Sequence, residues 1–246
     1  MRIIAILFAL AALAARAEGP RNYAIVSLVG DEIVIVAPAM TTGTSLDRSS
    51  RSHLKLETQA LDKTAVAAAE AALREADAGA NATMLLVREP SLYEAQLKAL
   101  DDGADVTSIV PMLAPTLRSV HATHLVLISK MRRNAAFETE RSHVGQGKLE
   151  GVGFYIDRAT RVDDRDDRTE YVGFLGPYAY FRVSLIDLDG PKLIGQKEIA
   201  ATQTVKVNSA THPWDELDAA QKVAALQSIL RSKIAEAVPQ VVKPAR

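Results

Sequence analysis

The chain has no cysteine among its 246 residues, which excludes a disulfide framework, a thiolate metal site and lipid attachment through an amino-terminal Cys. Aromatic residues are scarce, with one Trp, six Tyr and five Phe in all. Neither sign of charge dominates, since 29 basic residues face 30 acidic ones. A protein that grips a phosphate backbone needs a basic stripe, so nucleic acid is excluded as a partner class. Long apolar runs are missing too. The longest begins at Ile3 and ends at Ala15, 13 residues against the roughly 20 that span a bilayer.

That short run has the layout of a secretory signal of bacterial type. Arg2 precedes it, and Ala15 and Ala17 flank Arg16 as an A-x-A cleavage pattern. Cleavage after Ala17 leaves 229 residues beginning at Glu18, with 27 basic and 30 acidic residues and a net charge of −3. The expectation is a periplasmic or secreted chain with no transmembrane segment. Residues 18–246 carry no internal repeat and no long low-complexity linker, which favours one domain.

The elements read as a mixed α/β fold. YAIVSLV from Tyr23 and EIVIVA from Glu32 flank Gly30-Asp31, a pattern that predicts a hairpin. Residues 41–53 read as a hydroxyl-rich loop, with a short strand over 53–57. A helix is expected over 60–77, with Leu61, Ala65, Ala68, Ala69, Ala72 and Leu73 as a small-residue face. TMLLVRE at 83–89 reads as a buried strand, followed by a helix capped by Ser91 with Glu94 reaching back and ended by Gly103. Pro111 and Pro115 predict a kinked or divided helix over 105–120, and THLVLISKM a further strand. Strands in pairs with intervening helices make a layered sheet. From about residue 148 the expectation is long antiparallel hairpins, closed by a helix from Trp214 to Ala237 that packs back on the sheet.

"HATHLVLIS" followed by "FRVSLIDLDGPKLIGQKEI" resembles bacterial envelope domains of the curli-secretion lipoprotein and the amino-terminal part of the Tol translocation protein. The resemblance implies an envelope assembly or accessory role and carries no site residues with it. The chain departs from the curli protein in lacking an acylated Cys and membrane-spanning hairpins, and from the Tol protein in lacking a propeller-like repeat.

Five groups of residues invite chemistry. VSLVGDE and SATHPWDEL together look like periplasmic hydrolases with a Gly-Asp-Ser nucleophile and a late His-Pro, which would assign Asp31, Glu32 and His212. Glu32, however, stands where the nucleophilic hydroxyl belongs, and Ser209 stands three residues before His212, where an Asp is needed. The simpler reading makes Gly30-Asp31 a turn and Thr211 or His212 the cap of a helix begun by Pro213. His121 and His124 have a spacing that would place two imidazoles on one helical face for a metal, but the stretch passes from helix into strand. No metal or other cofactor is expected. Arg48 and Arg51, among the hydroxyls of the 41–53 loop, could fork an anion or glycan, or simply be solvated. The acids between Asp163 and Asp167 are broken by Arg165 and lack the bidentate Glu of a calcium loop.

The fifth group is aromatic. Seven of the twelve aromatic residues lie between Phe154 and Phe181, around a run in which ten of fourteen residues are charged. Strand alternation puts Phe154 and Phe181 on one face and Tyr155 and Tyr180 on the other. The two tyrosines then form either an outer binding surface or the floor of a second layer, whether another sheet or the carboxy-terminal helix. The sequence thus favours an exported, non-enzymatic binding or envelope-assembly protein whose partner is an envelope protein or glycan. The alternative is a periplasmic hydrolase of an envelope ester or glycan.

Overall fold

The structure is a computed structural model that describes residues 21–38, 49–56, 58–139, 143–163, 170–207 and 212–243. In chain order it has β1 (Asn22–Ser27), β2 (Glu32–Ala37), β3 (Ser50–Lys55), α1 (Ala60–Ala76), β4 (Asn81–Leu85) and α2 (Pro90–Asp102). A 3-10 turn (Val106–Ile109) leads into α3 (Val110–Ser119), β5 (His124–Lys130), β6 (Arg132–Asn134), β7 (Phe137–Glu138) and β8 (His143–Val144). The long strands β9 (Lys148–Asp163), β10 (Glu170–Asp187) and β11 (Lys192–Thr202) follow, then β12 (Val205–Lys206), a 3-10 turn (Pro213–Glu216) and α4 (Ala219–Val242). The fold is mixed α/β, as its sequence pattern implies.

β10 organises the sheet. Along one edge it pairs antiparallel with β11 and then β12; along the other, residues 181–187 pair with β5 and residues 170–180 with β9. β5 and β9 therefore lie end to end and run in the same direction. β1 lies parallel beside β5, and β2 parallel beside β9, so β1 and β2 also form one interrupted line. β4 and β3 complete that side, parallel to β1 and antiparallel to β2 respectively.

This arrangement overturns the expected hairpin at Gly30-Asp31. The two strands have the expected residues, but they point the same way and do not pair. Gly30 is not among the glycines with positive φ, so the primed turn that a two-residue hairpin needs is absent. The apolar run of β1 instead suits a strand buried on both faces between two parallel neighbours. β4 is corrected in the opposite sense, because its residues are largely exposed and it is an edge strand. Residues 50–53, expected in a loop, belong to β3, which is exposed throughout. α2 begins one residue before Ser91, at Pro90, and no side chain caps it; proline preset for the first helical position takes that role. Gly103 ends it with φ 66°, as expected.

Three apolar layers enclose the sheet. On one face, α1 and α4 pack over Phe154, Leu175, Ala179, Phe181, Val183 and Leu185. The small-residue face of α1 is buried there, and the α4 stripe of Leu226, Leu230, Ile234 and Ala237 continues to Val242. α4 is started by a capping box in which Asp218 accepts from the Gln221 amide and Gln221 from the Asp218 amide, both at 2.8 Å. On the opposite face, α2 and α3 cover the β1–β5 half. The chain between β5 and β9 folds back over the rest of that face and buries Val34, Val36, Tyr155, Phe174, Tyr178 and Tyr180.

Candidate functional site

The link between β1 and β2, Leu28 to Asp31, crosses the carboxyl end of β1, where open α/β sheets commonly place ligands. Asp62, in the first turn of α1, is buried against it. Its Oδ1 accepts from Ser27 Oγ at 2.5 Å and from the amides of Val29 and Gly30 at 3.1 Å each, and its Oδ2 accepts from the Tyr93 hydroxyl at 2.9 Å. Burial pushes the Asp62 carboxyl above the usual carboxylate range, although these four donors oppose the shift. Gly30 is required by the close approach of the helix, since a Cβ there would lie 2.7 Å from the Asp62 amide nitrogen.

A second set of groups joins this link to β5. Gln96 of α2 donates to the Leu28 carbonyl at 2.6 Å and accepts from the Lys130 amide at 2.9 Å. The Lys130 side chain is 1% exposed, and its ammonium lies 2.7 Å from Asp31 Oδ1 and 3.4 Å from Glu32 Oε1. The Asp31 oxygen makes no hydrogen bond by direction, so its pairing with Lys130 is electrostatic. His53 Nδ1 lies 3.1 Å from Glu32 Oε2. Burial raises the Glu32 pKa, but the Lys130 charge and the His53 contact together hold it below the usual value. A buried ammonium needs such partners, and leaving it unpaired costs several kcal/mol. The junction therefore acts as a clamp: its charges neutralise one another and fix where the β1–β2 and β5–β9 lines are interrupted.

His212 does not join Asp31 and Glu32. Its Nδ1 accepts from the Trp214 amide at 3.2 Å, which makes it the cap of the turn begun by Pro213, and its Nε2 meets the Arg158 guanidinium. The hydrolase constellation is thus dispersed, and the capping role explains His212 in its place. His121 lies in the turn after α3 with φ 52°, while His124 opens β5, bonds Thr123 and lies against the Tyr23 ring at 5.4 Å. No cluster of three or more metal-capable side chains occurs among the described residues.

Tyr155 and Tyr180, expected as a possible surface, are each 1% exposed. Alternation does place them opposite Phe154 and Phe181, and the 131–150 segment covers them, in part through the separate two-stranded sheet of β7 and β8 and not through the terminal helix. Phe137 of that segment stacks on Tyr155 at 4.8 Å and meets Phe174 at 5.3 Å. The Tyr155 hydroxyl accepts from the Gln146 amide at 2.9 Å; that of Tyr180 donates to the Asn134 carbonyl and accepts from the Ala136 amide, both at 3.3 Å. Arg51 donates to the Lys148 carbonyl at 3.0 Å from an exposed position. Arg48 and residues 164–169 lie outside the described residues, as do residues 1–17, where a signal is expected.

A cleft of about 650 Å³ opens beyond the end of β2, walled by Pro38, Ser50, His143, Gln146, Tyr155 and Arg158. Asp157 also lines it, but its carboxylate is bound by the amides of Ala159 and Thr160 and by the Thr160 hydroxyl, within 2.8 Å. That local turn sits opposite Gly173, with φ 88°, at a bulge where the β9–β10 register shifts. The cleft offers a mixed polar wall, and the hydroxyl that lies beside a carboxylate there, Thr160 on Asp157, closes a local turn of three residues. Sequence reasoning missed Asp62, Gln96 and Lys130. The available signal was the position of two of them: an Asp beside Leu61 on an apolar helix face, and a Lys ending an apolar strand.

No family model and no curated protein matches the chain. Among solved structures, the crystal structure of a Xanthomonas campestris protein of family DUF330 is similar with a TM-score of 0.35 and 9% identity, covering 90% of this chain and 82% of that one.

Proposed function

We propose that this chain is an exported protein of the bacterial envelope that binds or helps assemble a partner and performs no catalysis itself. The observation that carries this reading is where the charged groups of the interior are used. Asp62, Lys130 and Asp157 are the buried charged side chains among the described residues, and each is taken up by the fold's own donors or carboxylates. An enzyme needs titratable groups converging on a pocket, and in the cleft beyond β2 the Asp157 carboxylate is taken up by its own turn and the Arg158 guanidinium meets His212, which leaves His143 alone on the wall. The signal-like residues 1–17 support export, and the resemblance of residues 121–129 and 181–199 to envelope domains supports the location. No described helix is long and apolar enough to cross a membrane.

Two measurements test the reading. Amino-terminal sequencing of exported protein should begin at Glu18, and an intact Met1 would reopen a membrane-anchored alternative. Affinity capture with residues 18–246 from envelope extract should return a defined partner. Capture of nothing, together with turnover of an envelope ester or glycan by the purified protein, would replace this proposal with the hydrolase.

A further inference from the structure

β11 is the outer strand of the sheet on the side away from β4, and among the described residues no strand pairs with its free edge. The direction of its polar groups follows from its neighbour. The Met131 amide donates to the Tyr180 carbonyl across the β5–β9 edge, and the Gln203 amide to the Pro177 carbonyl across the other. Within β10, residues of the parity of Pro177 and Phe181 therefore face β11, and those of the parity of Tyr180 face away. Phe181 is opposite Ile199, and Tyr180 is opposite Ala200. Gln196, Glu198, Ala200 and Thr202 consequently turn their amide and carbonyl groups outward. The register shift opposite Gly195 ends this regular stretch on its amino-terminal side.

α4 flanks that edge. A groove of about 250 Å³ runs between them, with Ile199, Ala201 and Ala237 as its floor and Lys197, Lys233 and Gln240 on its sides. Lys197, Ile199 and Ala201 share one face of β11 by alternation. Lys233 is tied to Glu236 at 2.8 Å, whereas Lys197 is exposed and has no partner among the described residues. An outward row of backbone groups beside a small apolar floor and a free ammonium fits the pattern in which an extended peptide adds a strand to a sheet edge. Lysine also protects edges from unwanted pairing. Here it stands on the groove side, where it selects an occupant by charge.

We propose that this groove takes an extended segment of a partner protein as an additional strand on β11, with a carboxylate facing Lys197 and a small apolar side chain two residues away over Ile199 and Ala237. The inference rests on the binding reading above and gives its partner a chemistry. The partner strand is favoured by Lys197, which asks for a carboxylate opposite it, whereas a second copy paired through β11 offers Lys197 no acid in the two-fold registers centred on residues 197 to 200.

The test uses residues 18–246 and two blocked peptides, Thr-Val-Thr-Glu-Thr-Ala-Thr-Val-Thr and the same sequence with Lys in place of Glu. The Glu peptide should bind at least about tenfold more tightly, and should slow hydrogen exchange at the amides of Gln196, Glu198 and Ala200. Ala200→Pro removes an outward N–H without touching the β10 pairing and should abolish binding in a protein that still melts cooperatively. Lys197→Glu, an exposed change that keeps the backbone, should reverse the preference toward the Lys peptide even if the proline variant does not fold. Absence of binding by the unaltered protein, equal binding of both peptides, unchanged binding by folded Ala200→Pro, or a dimer joined through β11 would each overturn the proposal. Capture of an envelope partner by Ala200→Pro at full yield would overturn this groove and leave the accessory reading standing. Binding of the Glu peptide by a protein that captures nothing and turns over an envelope ester would overturn the accessory reading and leave the groove standing.

Discussion

Asp62 shows how one side chain can set the course of a chain. Replacing it with Ala strips an acceptor from two buried amides and two hydroxyls, and such orphaned groups cost about 1–3 kcal/mol each where water cannot reach them. Asp62→Ala should therefore lower the unfolding free energy by about 3–5 kcal/mol in urea titrations, while Asp62→Asn, which keeps one acceptor oxygen, should lose less. Glu32 gives a signed pH dependence. Its folded pKa lies below its unfolded value, so its contribution is present above the unfolded pKa and disappears as pH falls through the folded one. The stability difference between the parent and Glu32→Gln should shrink steadily from about pH 6 to about pH 3. A constant difference would mean that Glu32 stabilises through contacts that do not depend on its charge.

At the scale of elements, Gly153 marks where β2 meets β9. A Cβ at this position would overlap the Val34 carbonyl oxygen and crowd the Tyr178 hydroxyl, so Gly153→Ala should cost more than about 2 kcal/mol and shift the thermal midpoint down by several degrees. Most elements were legible in the sequence because their signals are local. Gly103 stopping α2, prolines dividing the 105–120 stretch and alternation along β10 each depend on a few neighbouring residues. Pairing was not legible. The residues Gly30-Asp31 permit a turn, and only contact with Asp62, over thirty positions later, determines that the chain goes straight on. Likewise, alternation separates Tyr180 from Phe181, but says nothing of what covers the tyrosine face. That depends on a twenty-residue excursion whose own strands are two or three residues long. The binding groove depends on α4 lying beside β11, which no property of either segment announces.

Across the whole molecule, Phe154, Tyr155, Phe174, Tyr178, Tyr180 and Phe181 form the wall between two packed layers. Tyr155→Ala with Tyr180→Ala should accordingly abolish cooperative unfolding or cost well over about 3 kcal/mol, as large-to-small changes at fully buried rings do. A double variant that retained parental stability by calorimetry would show that the 131–150 segment lifts from the sheet. The interrupted β1–β2 line has a consequence in time as well as in space. Tyr23 finds its partner at His124, and Val34 at Gly153, while the β5 and β9 that provide them are themselves joined through β10. The first strands to be synthesised are thus among the last to gain all their neighbours, and closing such distant pairs is slow. A nascent chain of this topology cannot complete its sheet until most of its length exists.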